Sequence, residues 1–251
     1  MICDAHVHMG YFSRKGMAVP FYYSPRRIFG ILNRCGVDEF IVSSTCAQIR
    51  GINIEEIIRE AYEMKHHAGS RAHLFFWLSG HLYDEDPDMT WLDCGLFEGV
   101  KFHECETPWI GKRRRDLEKI LNRLEMQGLH VIFHCAGVGM CSPQELLAIA
   151  RKHPRVHFNF AHCAPMDDMA AVLASHDNIW TDTAYMDESI FKELCKYDWR
   201  GRLMFGTDIP VWQSKCECSL TGTYRKYINK WSEIYPQTEA CSAFKQFLGT
   251  A

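Results

Sequence analysis

The chain has 251 residues, and a complete α/β barrel typically needs about 250. Its 28 basic and 31 acidic residues form no long run of either sign, so the charge pattern gives no reason to expect nucleic acid or a membrane surface as a partner. No apolar stretch approaches the roughly 20 residues that span a bilayer, and no basic segment followed by an apolar one opens the sequence. We therefore expect a cytoplasmic protein.

Short apolar, β-branched or aromatic runs predict eight strands, at residues 2–7, 39–43, 73–78, 99–102, 130–133, 157–160, 178–181 and 202–205. Segments with helical spacing separate most of them, at residues 25–34, 54–66, 114–127, 143–152, 166–175 and 188–197. Between residues 78 and 99 the loop-forming residues indicate a helix that is short or absent. After Pro210 we expect the last helix of the repeat and a C-terminal helix near residues 240–248.

This alternation predicts the fold. A strand–helix repeat of roughly 30 residues requires parallel strands with crossover helices, and eight such units close most naturally into a (β/α)8, TIM-like barrel. A doubly wound open sheet is the alternative. Because no internal repeat, low-complexity tract or Gly/Ser linker marks a boundary, we predict a single α/β domain over residues 1–251.

The twelve cysteines do not predict disulfides or a structural metal. Several lie in apolar runs that look like buried strands, so we expect reduced thiols. Cys216 and Cys218 have one residue between them and no second pair at zinc-finger spacing, which disfavours a structural zinc there.

Four predicted strands end in potential metal ligands, namely His6 and His8, His134, His162 and Asp208. Residues two apart in a strand point to the same face, so His6 and His8 should project together, with Asp4 beside them. Active sites of barrels are assembled at the carboxyl ends of several strands, so we expect these groups to meet. Imidazole and carboxylate groups bind zinc, iron or manganese, and an open coordination position makes such a site catalytic.

These motifs, in this order, resemble those of the amidohydrolase superfamily, in particular its amidohydrolase-related branch of metal-dependent barrels. The matching pieces span nearly the whole chain and are residues 4–8, 99–101, 134, 160–163 and 205–210. The resemblance implies one divalent metal ion, with Zn²⁺ favoured, held by His6, His8, His134 and Asp208. It implies that Asp208 also accepts a proton from the attacking water. His162 would polarise the substrate carbonyl, act as acid or base, or bind a second metal.

Lys101 and three further residues are open to several interpretations. Relatives with two metals bridge them through a carboxylated lysine or a glutamate of the fourth strand, so Lys101 could support a second ion, although we favour one. Lys101 could instead meet a substrate carboxylate or pair internally with Asp182. His103, Trp109 and Asp182 are candidate substrate contacts, and Asp182 could instead orient a ligand histidine. A loop position for His103 and a structural hydrogen bond for Asp182 are equally plausible. The aromatic residues at 11, 12 and 21–23 form either a pocket wall or a packing contact.

The leading interpretation is hydrolysis of an amide, ester or lactone bond of a small molecule by a metal-activated water. One alternative is a non-oxidative decarboxylase of a small unsaturated or aromatic carboxylic acid, with the same ligands and with Lys101 or an arginine holding the carboxylate. A non-catalytic metal-binding barrel is a further alternative. The expected partner is a small-molecule substrate, and a homo-oligomer is left open.

Overall fold

Strands and helices alternate along the chain in a computed structural model that describes residues 1–12, 21–135, 139–211 and 219–250. The strands are β1 (Cys3–Phe12), β2 (Phe21–Tyr23), β3 (Glu39–Ser44), β4 (Ala72–Trp77), β5 (Gly99–Phe102), β6 (His130–His134), β7 (Phe158–Ala161), β8 (Ile179–Asp182) and β9 (Leu203–Met204). The helices are α1 (Pro25–Arg34), α2 (Ile54–Ala68), α3 (Gly80–Glu85), α4 (Arg114–Gln127), α5 (Pro143–Ala150), α6 (Met166–Ser175), α7 (Phe191–Leu194), α8 (Leu220–Ser232) and α9 (Gln237–Phe247). All eight predicted strands are present, and the short third helix is α3.

The sheet closes on itself. Its order is β2-β1-β3-β4-β5-β6-β7-β8-β9, in which β2 pairs antiparallel with the end of β1 and every other neighbouring pair is parallel. Backbone hydrogen bonds of 2.8 Å join β1 to the segment after β9, from Ala5 N to Phe205 O, Asp208 N to His6 O and His8 N to Ile209 O. These bonds confirm the predicted (β/α)8, TIM-like barrel and exclude the open doubly wound sheet.

Capping side chains determine where several helices begin and end. Asn53 and Glu56 form a capping box at the start of α2, and the Ser142 hydroxyl accepts a hydrogen bond from the Glu145 amide at the start of α5. Gly128 ends α4 with φ of 67°, a left-handed conformation that glycine adopts without strain. The predicted end of one helix at residue 127 and the predicted beginning of another at residue 143 are thus confirmed.

The amino-terminal end of the barrel interior is filled. An apolar cluster joins inward side chains of β1, β3, β4 and β6 to β9 with residues of α9, including Phe244 and Phe247. The ring of Phe247 stacks on that of Phe75, with centroids 6.0 Å apart. Because α9 packs against this end of the barrel, the site lies at the opposite end, where the strands finish.

A bulge in β1 changes which of its side chains face inward. The pairing of β1 with β3 shifts register between Asp4 and Val7. Ala5 belongs to the inner cluster, whereas the Asp4 carboxylate accepts hydrogen bonds from Thr207 Oγ1 at 2.6 Å and from the hydroxyl of Tyr224 in α8 at 2.5 Å. The expectation that Asp4 shares the face of the two histidines is wrong, because it assumed uninterrupted alternation along the strand.

The ten cysteines that the structure describes are free thiols, as expected, while Cys216 and Cys218 lie outside the described residues. None of the described helices has the length and apolar character needed to cross a membrane.

Candidate metal centre

Three side chains from the two strand segments that close the barrel converge at its carboxyl end. His6 and His8 project from β1, and Asp208 follows β9. Asp208 Oδ1 lies 2.9 Å from His8 Nε2 and 3.6 Å from His6 Nε2. All three residues are buried, and one ligand atom from each lies within 4.8 Å of the others. Among the described residues, this triad is the group with the spacing of a metal site.

Asp182, at the end of β8, fixes the orientation of His6. Its Oδ2 accepts hydrogen bonds from His6 Nδ1 at 3.1 Å and from Asn159 Nδ2 at 2.6 Å. Its Oδ1 accepts from the backbone amides of His162 at 3.1 Å and Ala184 at 2.9 Å. Burial alone would raise the pKa of Asp182, but its contacts with His6 outweigh burial and hold that pKa well below its usual range. The ionised carboxylate can only accept, so the His6 proton lies on Nδ1 and Nε2 is left for the triad.

Ser43, in β3, fixes the orientation of His8. His8 Nδ1 lies 3.0 Å from Ser43 Oγ and 3.4 Å from the Ser43 carbonyl oxygen. Burial, reinforced by the charge of Lys101, lowers the pKa of His8 to about 3, so the ring is neutral near pH 7. Because the carbonyl oxygen can only accept, Nδ1 carries the proton and the Nε2 lone pair faces Asp208.

Lys101, in β5, places a positive charge against the triad. Its Nζ lies 2.6 Å from His6 Nε2, 3.1 Å from His8 Nε2 and 4.4 Å from the centre of the Trp77 ring. Burial lowers the pKa of Lys101 to about 8, which leaves it mostly protonated at neutral pH. An ammonium group has only donors, so both Nε2 atoms act as acceptors. Lys101 therefore makes its direct contacts with the two histidines, while the charge of Asp182 acts on it without a direct ion pair among the described contacts.

The remaining histidines continue around the barrel opening. Six rings follow one another with centroids 3.9 to 5.6 Å apart and form what we call the mouth ring, made up of His8, Trp77, His103, His134, His162 and His6. His6, His8 and Trp77 are almost fully buried, whereas the other three are partly exposed. A ligand would therefore approach the triad from the side of His103, His134 and His162.

His134 and His162 form a hydrogen-bonded pair of defined polarity. His162 Nδ1 lies 2.9 Å from the Ala184 carbonyl oxygen, which can only accept, so Nδ1 is the donor. Burial lowers the pKa of both imidazoles, so both are neutral. His162 Nε2 then accepts from His134 Nδ1 at 2.9 Å, which leaves Nε2 of His134 with the free lone pair. All three predicted histidine ligands thus present the same nitrogen, although His134 stands outside the described triad.

Two of the site residues have unusual backbone conformations. His162 has φ of 78° and Asp208 has φ of 60°, both in the left-handed region. Non-glycine residues adopt it infrequently, and such conformations concentrate at functional sites, where the surrounding structure enforces them. These two residues follow β7 and β9, and both are site residues that the sequence predicted.

The structure brings His103 into the mouth ring but not Trp109. His103 stacks on His134 with centroids 3.9 Å apart, and burial lowers its pKa to about 3. The Trp109 side chain is 0% exposed and packs edge-on against Phe102 and Tyr83, between the barrel and α3. A substrate contact through Trp109 was wrong, because Phe102 alternates with the inward-facing Lys101 and so draws Trp109 to the outside of the barrel.

Three residues of the site were missed in the sequence. Trp77 ends β4 and lies in the mouth ring, Ser43 holds His8, and Asn159 donates to Asp182. The signal for Asn159 was an amide residue within the apolar run that forms β7, where the structure buries it fully. For Trp77 it was the last position of β4, whose neighbour β3 ends in Ser44 and whose neighbour β5 is followed directly by His103.

The donor set of the triad fits a divalent cation. Two imidazole nitrogens and one carboxylate oxygen face one another as acceptors, and only a positively charged group satisfies all three together. The Asp208 carboxylate contributes the negative charge that such a cation requires. The acceptors at Asp182 and Ser43 that turn both histidines are the supporting contacts expected around metal ligands.

Comparison with known proteins finds solved structures with the same fold. A probable 2-pyrone-4,6-dicarboxylic acid hydrolase from Acinetobacter baumannii superposes with a TM-score of 0.71 at 12% identity, over 99% of each chain. A 4-oxalomesaconate hydratase from Rhodopseudomonas palustris gives 0.65 at 11% identity, over 100% of this chain and 96% of that one. A dihydroorotase from Campylobacter jejuni gives 0.59 at 11% identity, over 98% and 81%. Such low identities show a shared fold and no more.

A search of curated proteins finds no match. The family model described as "Amidohydrolase" matches residues 82–226, which is more than half of the sequence and runs from α3 into α8. That segment contains the predicted site residues of β5 to β9, while His6 and His8 precede it. With the barrel and the strand-end histidines on the same chain, the match shows that this protein belongs to the amidohydrolase family.

Proposed function

We propose that the protein is a metal-dependent hydrolase that uses a metal-activated water to cleave an amide, ester or lactone bond of a small molecule. One observation carries the proposal: Nε2 of His6, Nε2 of His8 and Oδ1 of Asp208 face one another in a buried triad, with the Nδ1 atoms of both histidines held by Asp182 and Ser43. Fold similarity alone does not select the reaction, since hydrolases and a hydratase share this barrel.

His6, His8 and Asp208 would hold one divalent ion, for which we propose Zn²⁺, with His134 as a further ligand from the rim. When bound there, such an ion would lower the pKa of a coordinated water toward about 7, which would provide a nucleophile at neutral pH. Asp208 is ionised and can accept the proton of that water. Asp182 and Ser43 keep the two histidines in the tautomer that such a site requires.

His162 and Lys101 have distinct proposed roles. Both ring nitrogens of His162 already form hydrogen bonds, one with Ala184 and one with His134. We therefore assign His162 the role of positioning His134 and not that of an acid or base. The Lys101 ammonium is a positive charge inside the mouth ring and is placed to meet a developing oxyanion or a substrate carboxylate. Its contacts run to the two β1 histidines, which favours one ion over a pair bridged by a carboxylated lysine.

Lys101 also favours one alternative, a non-oxidative decarboxylase. A buried ammonium beside the triad suits a substrate carboxylate as well as an oxyanion. Release of carbon dioxide from unsaturated or aromatic acids, measured beside ester and lactone hydrolysis, distinguishes the two reactions. The Lys101→Met variant is expected to lose carboxylate-dependent binding in either case.

The proposal is tested by elemental analysis and by turnover of a panel of lactones, esters and amides. We expect one zinc per chain in the wild-type protein and none in the double variant His6→Ala, His8→Ala. The matched control is His66→Ala, His67→Ala, which removes two neighbouring histidines of α2 that lie outside the mouth ring and should retain the metal. An unchanged zinc content in the β1 double variant would refute the assignment.

Asp208→Asn separates binding from chemistry. The amide oxygen retains a ligand atom but cannot serve as the proton acceptor, so we expect metal to remain largely bound while turnover falls by about 10²- to 10⁴-fold. Turnover at the wild-type rate in this variant would mean that another group is the base.

A further inference from the structure

Two cysteines from neighbouring loops meet at the carboxyl end of the barrel. Cys105 lies in the loop that follows β5, and Cys141 lies in the loop that follows β6. Their Sγ atoms are 4.0 Å apart, and both groups are thiols. A disulfide bond joins two sulfur atoms at about 2 Å, so these side chains are adjacent without being bonded.

The two thiols differ in exposure and in how they are held. Among the described residues Cys105 is exposed, whereas Cys141 is only 4% exposed. Cys141 ends the short 3-10 turn Gly139–Cys141 and directly precedes Ser142, the residue that caps α5. An oxidant from solvent therefore meets Cys105, and Cys141 lies behind it as the second thiol. An accessible thiol beside a second thiol is the arrangement of redox-sensitive cysteine pairs.

The turn that contains Cys105 is attached to the mouth ring. The backbone amides of Glu106 and Thr107 both donate hydrogen bonds to the His103 carbonyl oxygen, at 3.1 and 3.0 Å. The His103 ring in turn stacks on the ring of His134, with centroids 3.9 Å apart. A displacement of Cys105 is therefore transmitted to a side chain of the mouth ring.

Formation of a bond between the two sulfur atoms would shorten their separation from 4.0 Å to about 2 Å. Because Cys141 is buried beside a helix cap, we expect most of this movement at Cys105 and, through its turn, at His103. His103 lies on the side from which a ligand would approach the triad. The bond would thus change the entrance to the candidate metal centre.

We propose that Cys105 and Cys141 form a reversible disulfide that displaces His103 from its stack on His134. The oxidant is a peroxide. The Cys105 thiolate attacks one oxygen of hydrogen peroxide, the O–O bond breaks, a sulfenic acid forms and the other oxygen leaves as water after protonation. The Cys141 thiolate then attacks the sulfenic sulfur, the S–O bond breaks and a second water leaves. Two thiols thereby lose two electrons and two protons, and one peroxide becomes two waters.

A dithiol reductant reverses the reaction by thiol–disulfide exchange. Any effect of the disulfide on turnover rests on the proposed function. The test therefore uses readouts that need no substrate.

The test treats the folded, full-length chain with hydrogen peroxide, alkylates the remaining thiols and maps disulfides by tryptic digestion and mass spectrometry. Cys105 falls in the tryptic peptide 102–112, and Cys141 falls in the peptide 124–151, which also contains Cys135. Fragmentation of the joined peptides distinguishes Cys141 from Cys135. Long-range ¹H–¹⁵N spectra recorded before and after oxidation report the position of the His103 ring.

The test variant is Cys105→Ser, which changes an exposed side chain and should fold. The matched control is Cys94→Ser, which removes another exposed thiol that precedes β5 and so lies at the opposite end of the barrel. Dithiothreitol separates disulfide formation from oxidation of Met140, which is 49% exposed in the same turn as Cys141. Methionine sulfoxide requires a dedicated reductase and is not restored by this reagent.

We expect peptides joined through Cys105 and Cys141 in the oxidised wild type and in Cys94→Ser, with His103 signals that shift on oxidation and return with dithiothreitol. In Cys105→Ser both changes should be lost. Absence of this link from the oxidised wild type, or a link from Cys105 to another cysteine in its place, would overturn the proposal. A link with unmoved His103 signals would refute the coupling to the mouth ring, as would the same reversible shift in Cys105→Ser.

Discussion

The variant Asp182→Asn examines whether a buried carboxylate sets the protonation of His6. The wild-type carboxylate accepts four hydrogen bonds, from His6, Asn159 and two backbone amides. An asparagine that keeps the two backbone amides on its oxygen turns its NH₂ group toward His6 and Asn159. The Asn159 amide can rotate to accept, since its Oδ1 has no hydrogen-bond partner in the described structure. His6 must then accept at Nδ1, which moves its proton to Nε2, the atom that faces Asp208.

The expected magnitudes follow from these contacts. Replacing hydrogen bonds to an ionised group by hydrogen bonds to a neutral one lowers the free energy of unfolding by about 1.5 to 3 kcal/mol. We expect a value near the lower end of this range, because the rotation of the Asn159 amide leaves its hydrogen bond intact. Loss of a group that orients a metal ligand lowers metal affinity by about 10- to 100-fold. That range corresponds to about 1.4 to 2.8 kcal/mol of binding free energy.

The assay is zinc affinity by chelator competition, together with urea unfolding and long-range ¹H–¹⁵N spectra that report the His6 tautomer. The control is Glu60→Gln, because Glu60 is also buried and accepts hydrogen bonds from the hydroxyls of Tyr22 and Ser44. A hydroxyl can also accept a hydrogen bond, so both can adapt to the amide group of a glutamine. We expect Glu60→Gln to bind zinc as the wild type does. If Asp182→Asn also retains wild-type zinc affinity, or if His6 keeps its proton on Nδ1, the reasoning is refuted.

Three other predictions follow. In Gly206→Ala a new Cβ would lie 3.1 Å from Asp182 Cβ and 3.2 Å from His6 Cβ. Urea unfolding should therefore show a free energy of unfolding that is lower by about 1 to 3 kcal/mol, and zinc affinity should fall. In the control Gly111→Ala the nearest atom to the new Cβ is 3.6 Å away, so neither quantity should change. Trp109→Ala should cost about 3 to 5 kcal/mol in the free energy of unfolding, yet kcat/KM of the folded fraction should stay at the wild-type value; a selective loss of kcat/KM would restore Trp109 to the site. Burial, with His157 nearby, lowers the pKa of His130 to about 4, so the unfolded chain takes up this proton more readily and stability is lost as pH falls from 6.5 toward 4, by at most about 3 kcal/mol. His130→Gln should flatten this part of the stability curve, and an unchanged slope would contradict the assignment.

The barrel and much of the candidate site could be predicted because both follow from local patterns. Buried parallel strands appear as continuous apolar runs, and the polar residue that ends each run marks the edge where the strands finish. His6, His8, His162 and Asp208 were found in this way, and the distances between them then follow from closure of the sheet. The prediction of Asp182 as a residue that orients a ligand histidine agrees with its hydrogen bond to His6.

The other features depend on geometry that alternation does not contain. The bulge between Asp4 and Val7 reverses the side of Asp4. Trp109 belongs to a loop whose direction is set by packing against Phe102 and Tyr83, which no spacing within the sequence reveals. The contacts of Ser43 and Trp77 with His8 join residues that are at least 35 positions apart in the sequence, and neither residue type predicts such a contact.

The account depends most directly on whether one cation binds among His6, His8 and Asp208. Anomalous diffraction at the zinc edge, on crystals of the zinc-loaded protein, locates that ion without reference to any substrate. We predict one peak bound by an imidazole nitrogen from each histidine at about 2.0 to 2.1 Å and by an Asp208 oxygen at about 2.0 to 2.2 Å. Zinc found only elsewhere on the protein, with the Lys101 ammonium still against both histidines, would contradict it.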